Sequence, residues 1–124
     1  MAQTQIFRGV QTSIVKDGNV VRFVYRGTTV VEYDDAALTV RLQSNGWRTT
    51  TTKLRFRQAA AQFSLNFAVY QQAFAWYVVT ADGTYDYEDG MLVYLTSGLV
   101  ERADGTYVEP LPGKSHLVHG CFID

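Results

Sequence analysis

The chain contains one cysteine, Cys121, two histidines and two prolines in 124 residues. A lone cysteine cannot close an internal disulfide, so the fold must be held by its core. His116 and His119 both stand near the C-terminus, which leaves no serine or cysteine with an evident base; an enzyme is therefore not expected. No apolar run approaches the roughly 18 residues of a membrane helix. The opening Met1-Ala2-Gln3-Thr4-Gln5 has neither the basic nor the apolar part of a signal peptide, so a cytosolic protein without membrane partners is expected by default. A glycine-rich phosphate loop and a spaced Asp-x-Asp-x-Asp calcium loop are both missing, and no cofactor is implied. His116, His119, Cys121 and Asp124 gather metal-capable groups at the C-terminus, but zinc sites pair ligands from two separated elements and no second cluster exists.

What is present suits a globular fold. The composition is 47% hydrophobic and 19% charged, richer in apolar residues than disordered chains. A chain of this length buries roughly two-thirds of its unfolded surface in one core, and no linker divides it, so residues 1–124 are read as a single domain. Eight Tyr and seven Phe favour pleated strands, where rings pack on half-buried faces. Charge is unevenly placed. Arg41, Arg48, Lys53, Arg55 and Arg57 fall in a stretch with no acid, which leaves the remainder at −6 against a total of −1. Residues 82–104 hold Asp82, Asp86, Glu88, Asp89, Glu101 and Asp104 against Arg102 alone. Such asymmetry suits contact with an anion or head-to-tail self-association, whereas the plainer reading is two solvated faces.

The first third reads as an antiparallel meander: Thr12 to Val15, a turn at Asp17-Gly18, Val20 to Tyr25, a break at Gly27, Thr28 to Tyr33, a turn at Asp34-Asp35, and Leu38 to Leu42. In the last strand Leu38, Val40 and Leu42 alternate with polar residues, predicting one buried face. Ser44-Asn45-Gly46 breaks the pattern. Phe56, Ala59, Ala60 and Phe63 then make one helical stripe, and Gln58-Ala59-Ala60-Ala61-Gln62 has high helix propensity, so a helix is predicted from about Thr51 to Ser64, capped by Thr50, Thr51 or Thr52. Two strands, Phe67 to Tyr70 and Phe74 to Val79, follow, then turns at Asp82-Gly83 and Asp89-Gly90 around Thr84 to Tyr87 and Met91 to Leu95. Ala-Asp-Gly-Thr-Tyr occurs at 81–85 and 103–107, which points to two similar hairpins rather than a solenoid. A final segment runs from His116 to Ile123. The fold class is α+β, an antiparallel sheet packed against one principal helix.

The run Asn45-Gly46-Trp47-Arg48-Thr49-Thr50-Thr51-Thr52-Lys53-Leu54-Arg55-Phe56-Arg57-Gln58-Ala59-Ala60 resembles small uncharacterised proteins of tailed bacteriophages, with a Gly-aromatic-x-Thr-x-Thr-Thr-Lys-x-Arg core leading into a helix. Phe67 to Gln71, Trp76-Tyr77-Val78 and Glu88-Asp89-Gly90-Met91 are similar to that family's aromatic hairpin and closing turn. The resemblance covers about residues 28–91 and implies a phage origin and no particular activity. The chain departs from the pattern at Arg57, where Asn is expected, and in its longer tail beyond about residue 95.

The segment from Trp47 to Gln58 is the first candidate site. A helix N-terminus attracts anions through its unpaired N–H groups; Thr50 and Thr51, with Arg48, Lys53, Arg55, Arg57 and Gln58, can donate to phosphate, and Trp47 can stack on a base. The plain alternative is a Thr-rich cap with solvated cations and a core tryptophan. Tyr70, Phe74, Trp76 and Tyr77 are a second candidate, as a stacking platform or as ordinary core. The expected function is a phage-encoded, non-enzymatic protein of the host cytoplasm that binds nucleic acid or a small nucleotide of the kind used in bacterial defence signalling. Two alternatives stand beside it: an inhibitor or adaptor acting on a host or anti-phage defence protein, and a minor virion protein.

Overall fold

The computed structural model describes residues 11–46, 50–112, 116–118 and 121–123, with side chains for 11–46 and 51–112. The meander forms as the turn chemistry predicts. Strands β1 (Thr12–Asp17), β2 (Val20–Tyr25), β3 (Thr28–Asp34) and β4 (Thr39–Leu42) pair antiparallel in sequence order. Gly18 at φ +62° sits between the paired residues Asp17 and Val20, and Arg26-Gly27 closes the next hairpin with both residues left-handed. Val21, Phe23 and Tyr25 alternate inward from β2 and meet Val31, Val40 and Leu42, all buried. Leu38 departs from the predicted alternation: it is 43% exposed at φ +56°, because the chain is still turning there, and the strand starts at Thr39.

The single helix among the described residues, α1 (Thr50–Gln62), packs on β2, β3 and β5. It starts one residue earlier than predicted, so Thr50, Thr51 and Thr52 lie inside its first turn and the capping position falls outside the described residues. It ends before Ser64 for a definite reason. Ser64 flips to φ +54°, its N–H bonds the Ala61 carbonyl (3.3 Å), and the Leu65 N–H reaches back to the Ala60 carbonyl (2.7 Å). Those paired bonds, with Leu65 buried behind them, are a Schellman closure that satisfies the last carbonyls.

Next, β5 (Ala68–Gln72), β6 (Ala75–Val79) and β7 (Thr84–Asp86) form a three-stranded sheet, while β8 (Leu92–Tyr94) and β9 (Val100–Glu101) extend the meander sheet beyond β4. The predicted break at Gln71-Gln72-Ala73 is corrected. Gln71 pairs with Trp76 and Gln72 with Ala75, which leaves Ala73-Phe74 as the turn. β10 (His116–Val118) and β11 (Cys121–Ile123) form a two-stranded hairpin. One core cluster joins both larger sheets and the helix, including Phe23, Phe56, Trp76, Tyr85, Val93 and Val100. The two Ala-Asp-Gly-Thr-Tyr copies do both close tight turns, with a Thr80–Gly83 loop in the first and an Arg102 N–H bonded to Thr106 O (2.7 Å) in the second. Their tyrosines part company: Tyr85 is buried and Tyr107 exposed.

Candidate functional site

The helical period divides the basic run. Thr52, Arg55, Phe56 and Ala59 stand at i, i+3, i+4 and i+7 and are all buried, so Arg55 belongs to the inner face. It is 7% exposed; its guanidinium lies 5.1 Å from the Tyr25 ring centroid and Nη1 donates to Gln58 Oε1 at 3.0 Å. Burying a cation is costly without such partners. Gln58, also buried, is thereby an internal acceptor. Lys53 and Arg57 are one turn apart on the outer side. Lys53 Nζ donates to Gln71 Oε1 of β5 (2.8 Å) and lies 5.8 Å from the Trp76 ring centroid, whereas Arg57 is exposed. Thr51 is half-buried. Trp47, Arg48 and the Thr50 side chain lie outside the described residues.

Trp76 is 5% exposed and sits in an aromatic cluster, edge-on to Phe56 (6.3 Å) and to Tyr87 (5.5 Å). Its face is used for packing and for Lys53. The structure thus brings Lys53 and Trp76 together and sends Arg55 and Gln58 elsewhere. Of the other aromatics singled out, Tyr70 and Tyr77 stack at 5.2 Å across paired positions of β5 and β6, and Phe74 is 96% exposed at the hairpin tip.

The approach to the helix is held by a residue that motif reading passed over. Asp89 Oδ1 accepts from the Ser44 N–H (2.9 Å), the Ser44 hydroxyl (2.7 Å) and the Tyr87 hydroxyl (2.6 Å), and Oδ2 from the Gly46 N–H (3.4 Å). Burial alone would raise the carboxyl pKa, but these hydrogen bonds together outweigh it and hold the group below its ordinary value. Its sequence signal was only the Asp-Gly turn.

Much of the acidic stretch is likewise engaged locally. Tyr85 donates its hydroxyl to Asp82, and burial followed by that bond raises its pKa. Glu88 pairs with Arg102 at 3.2 Å. Glu101 accepts from Tyr94 at 2.8 Å, which with Tyr107 pushes the Tyr94 pKa up to about 12. The backbone N–H and then the hydroxyl of Thr106 hold Asp104 below its ordinary value. Among the described residues no three metal-capable side chains converge. The side chains of His116, His119, Cys121 and Asp124 lie outside them. No helix among the described residues is long and apolar enough to cross a membrane.

An antiparallel α+β fold with a single acid-free helix across its core places this chain in the class of small mixed-sheet proteins. A family model described as Kyanoviridae Gp96 protein matches residues 1–94, and the chain belongs to that bacteriophage family. Neither a curated protein nor a solved structure matches it. The matched segment ends at the last residue of β8.

Proposed function

We propose that this phage protein is a non-enzymatic binding protein of the infected cell, and that its ligand carries phosphate, as nucleic acid or a small nucleotide. The observation that supports this reading is the outer face of α1. The helix has three cations and no acid. Lys53 and Arg57 stand one turn apart there, and neither takes part in an ion pair among the described residues. Cations at that spacing, roughly 6 Å, suit neighbouring phosphates. Arg55 supports the fold instead, through Tyr25 and Gln58.

The test is therefore a double substitution, Lys53→Gln with Arg57→Gln, which leaves Arg55 in place and keeps helix propensity nearly constant. Binding of a single-stranded oligonucleotide is measured against salt. The slope of log affinity on log salt should fall by about 1.4, at roughly 0.7 per lost phosphate contact on a single strand. A nucleoside triphosphate should lose affinity with a weaker salt dependence. A folded double variant that binds both as well as the parent does would overturn the reading.

A further inference from the structure

The β5–β6 turn is built from the wrong residues for its shape. The register leaves a two-residue loop, Ala73-Phe74, at φ +51° and +69°, the conformation that Asn-Gly or Gly-Gly adopts readily. Both residues carry a Cβ that crowds the backbone in this region, and a bulky aromatic there is a rare outlier. Phe74 gains nothing in exchange from its own chain, since its ring is 96% exposed. Phe56, Phe67, Trp76, Tyr85 and Tyr87 are all buried. Strain without internal return is a mark of a functional position.

The surroundings narrow what meets this ring. From Gln58 to Ala81 the sequence runs 24 residues without a charged side chain, and Gln71, Gln72, Ala73 and Ala75 around the tip are all exposed. An aromatic projecting from a charge-free patch has the composition of a protein interface core, which is enriched in aromatics and depleted of charge. A lipid surface fits less well, because interfacial anchors combine a broad apolar face with a basic collar, and Lys53 nearby is tied to Gln71. A second copy fits less well too. The open cleft at the β1–β2 end is lined by Gln11, Thr12, Ser13, Val24, Arg26 and Gly27, mostly polar groups with a cation and no match for a phenyl ring.

We infer that Phe74 is an anchor that seats the β5–β6 hairpin in an uncharged apolar pocket of another protein. The inference is independent of the phosphate reading, which uses Lys53 and Arg57.

The experiment places a photo-cross-linking benzophenone side chain at position 74 of the full-length protein in infected cells. The same side chain at Tyr107, 60% exposed, serves as the control. One discrete heteromeric adduct is expected from position 74 and none from the control. Excess unlabelled parent protein should suppress it more than tenfold, and the Lys53→Gln/Arg57→Gln protein equally, while Phe74→Ala should not compete. A second variant, Ala73→Asn with Phe74→Gly, should melt at higher temperature than the parent because the turn is relieved, and should also fail to compete. The inference is overturned by the absence of an adduct, by equal competition from Phe74→Ala, by an adduct of two copies of this chain, or by a lipid adduct. A phosphate ligand lost without loss of the adduct would sink the preceding reading alone.

Discussion

At the scale of single residues, two glycines with positive φ separate two kinds of constraint. Gly46, at φ +80°, has nothing within 4 Å of an added Cβ, so Gly46→Ala should cost only the left-handed penalty, about 1 kcal/mol. Gly98 has the same φ, but its Cβ would stand beside the Asp82 backbone nitrogen and 2.9 Å from Thr80 Oγ1, and that hydroxyl donates to the Gly98 carbonyl at 2.6 Å. Here strain and overpacking add, and Gly98→Ala should cost about 3 kcal/mol. Urea denaturation of the two variants checks the ranking; equal losses would mean that the Gly98 contact is not fixed. Asp89 gives a pH test. Its folded pKa is depressed, so its contribution is fully present above the unfolded carboxylate value of about 3.9 and is lost as pH falls through the lower folded value. Asp89→Asn should lower stability at pH 7 by about 1–3 kcal/mol, the cost of disturbing buried hydrogen bonds. It should also flatten the loss of stability below pH 4, read from melting temperature against pH.

At the scale of elements, the helix shows what the sequence made legible and what it hid. Its presence followed from the alanine-rich run 58–62 and its apolar stripe from Phe56, Ala59, Ala60 and Phe63, and these do face the core. Phe63 packs between Phe23 (5.6 Å) and Tyr33 (5.9 Å) but remains half-exposed. Phe63→Ala should therefore cost about 2–3 kcal/mol, at or below the lower end for a core phenylalanine. The inward turn of Arg55 was legible from its spacing to Thr52 and Ala59, but a charged residue is a poor guess for a buried position when its partners, Tyr25 and Gln58, come together only in the fold. The helix end was hidden because Ser64, not glycine, takes the left-handed position. Ser64→Gly should relieve it and raise stability by about 0.5–1 kcal/mol in chemical denaturation. The hairpin tip was hidden likewise: Ala73-Phe74 carries no turn signal, and pairing of Gln71 with Trp76 decides the register.

At the scale of the molecule, the family match ends at residue 94, yet the core does not. Val100, fully buried, pairs with Val93 and closes the exposed edge of β8 with a short ninth strand. Val108 packs on the same cluster, and its N–H bonds the Val100 carbonyl at 2.9 Å. The turn after β8 carries Gly98, which joins the meander sheet to the β6–β7 turn through Thr80, while the Leu111 N–H bonds the Thr84 carbonyl of β7 at 2.7 Å. These contacts link the two larger sheets at the end away from α1. None was evident from patterning, because Val100-Glu101 is too short to show a period and the edge it covers is a tertiary feature. A chain ending after Tyr94 would lose the Val100 and Val108 side chains, each worth about 1.5–3 kcal/mol when buried, together with the hydrogen bond from Thr80, against a total stability of roughly 5–15 kcal/mol for a domain of this kind. Residues 1–94 alone should therefore melt broadly or at a temperature lower by more than 10 °C than the full chain, followed by circular dichroism. Val100→Ala in the full chain should show a smaller loss of the same kind. If residues 1–94 instead unfold cooperatively at the parent temperature, the strand and turns after Tyr94 are an addition to a core that is already complete.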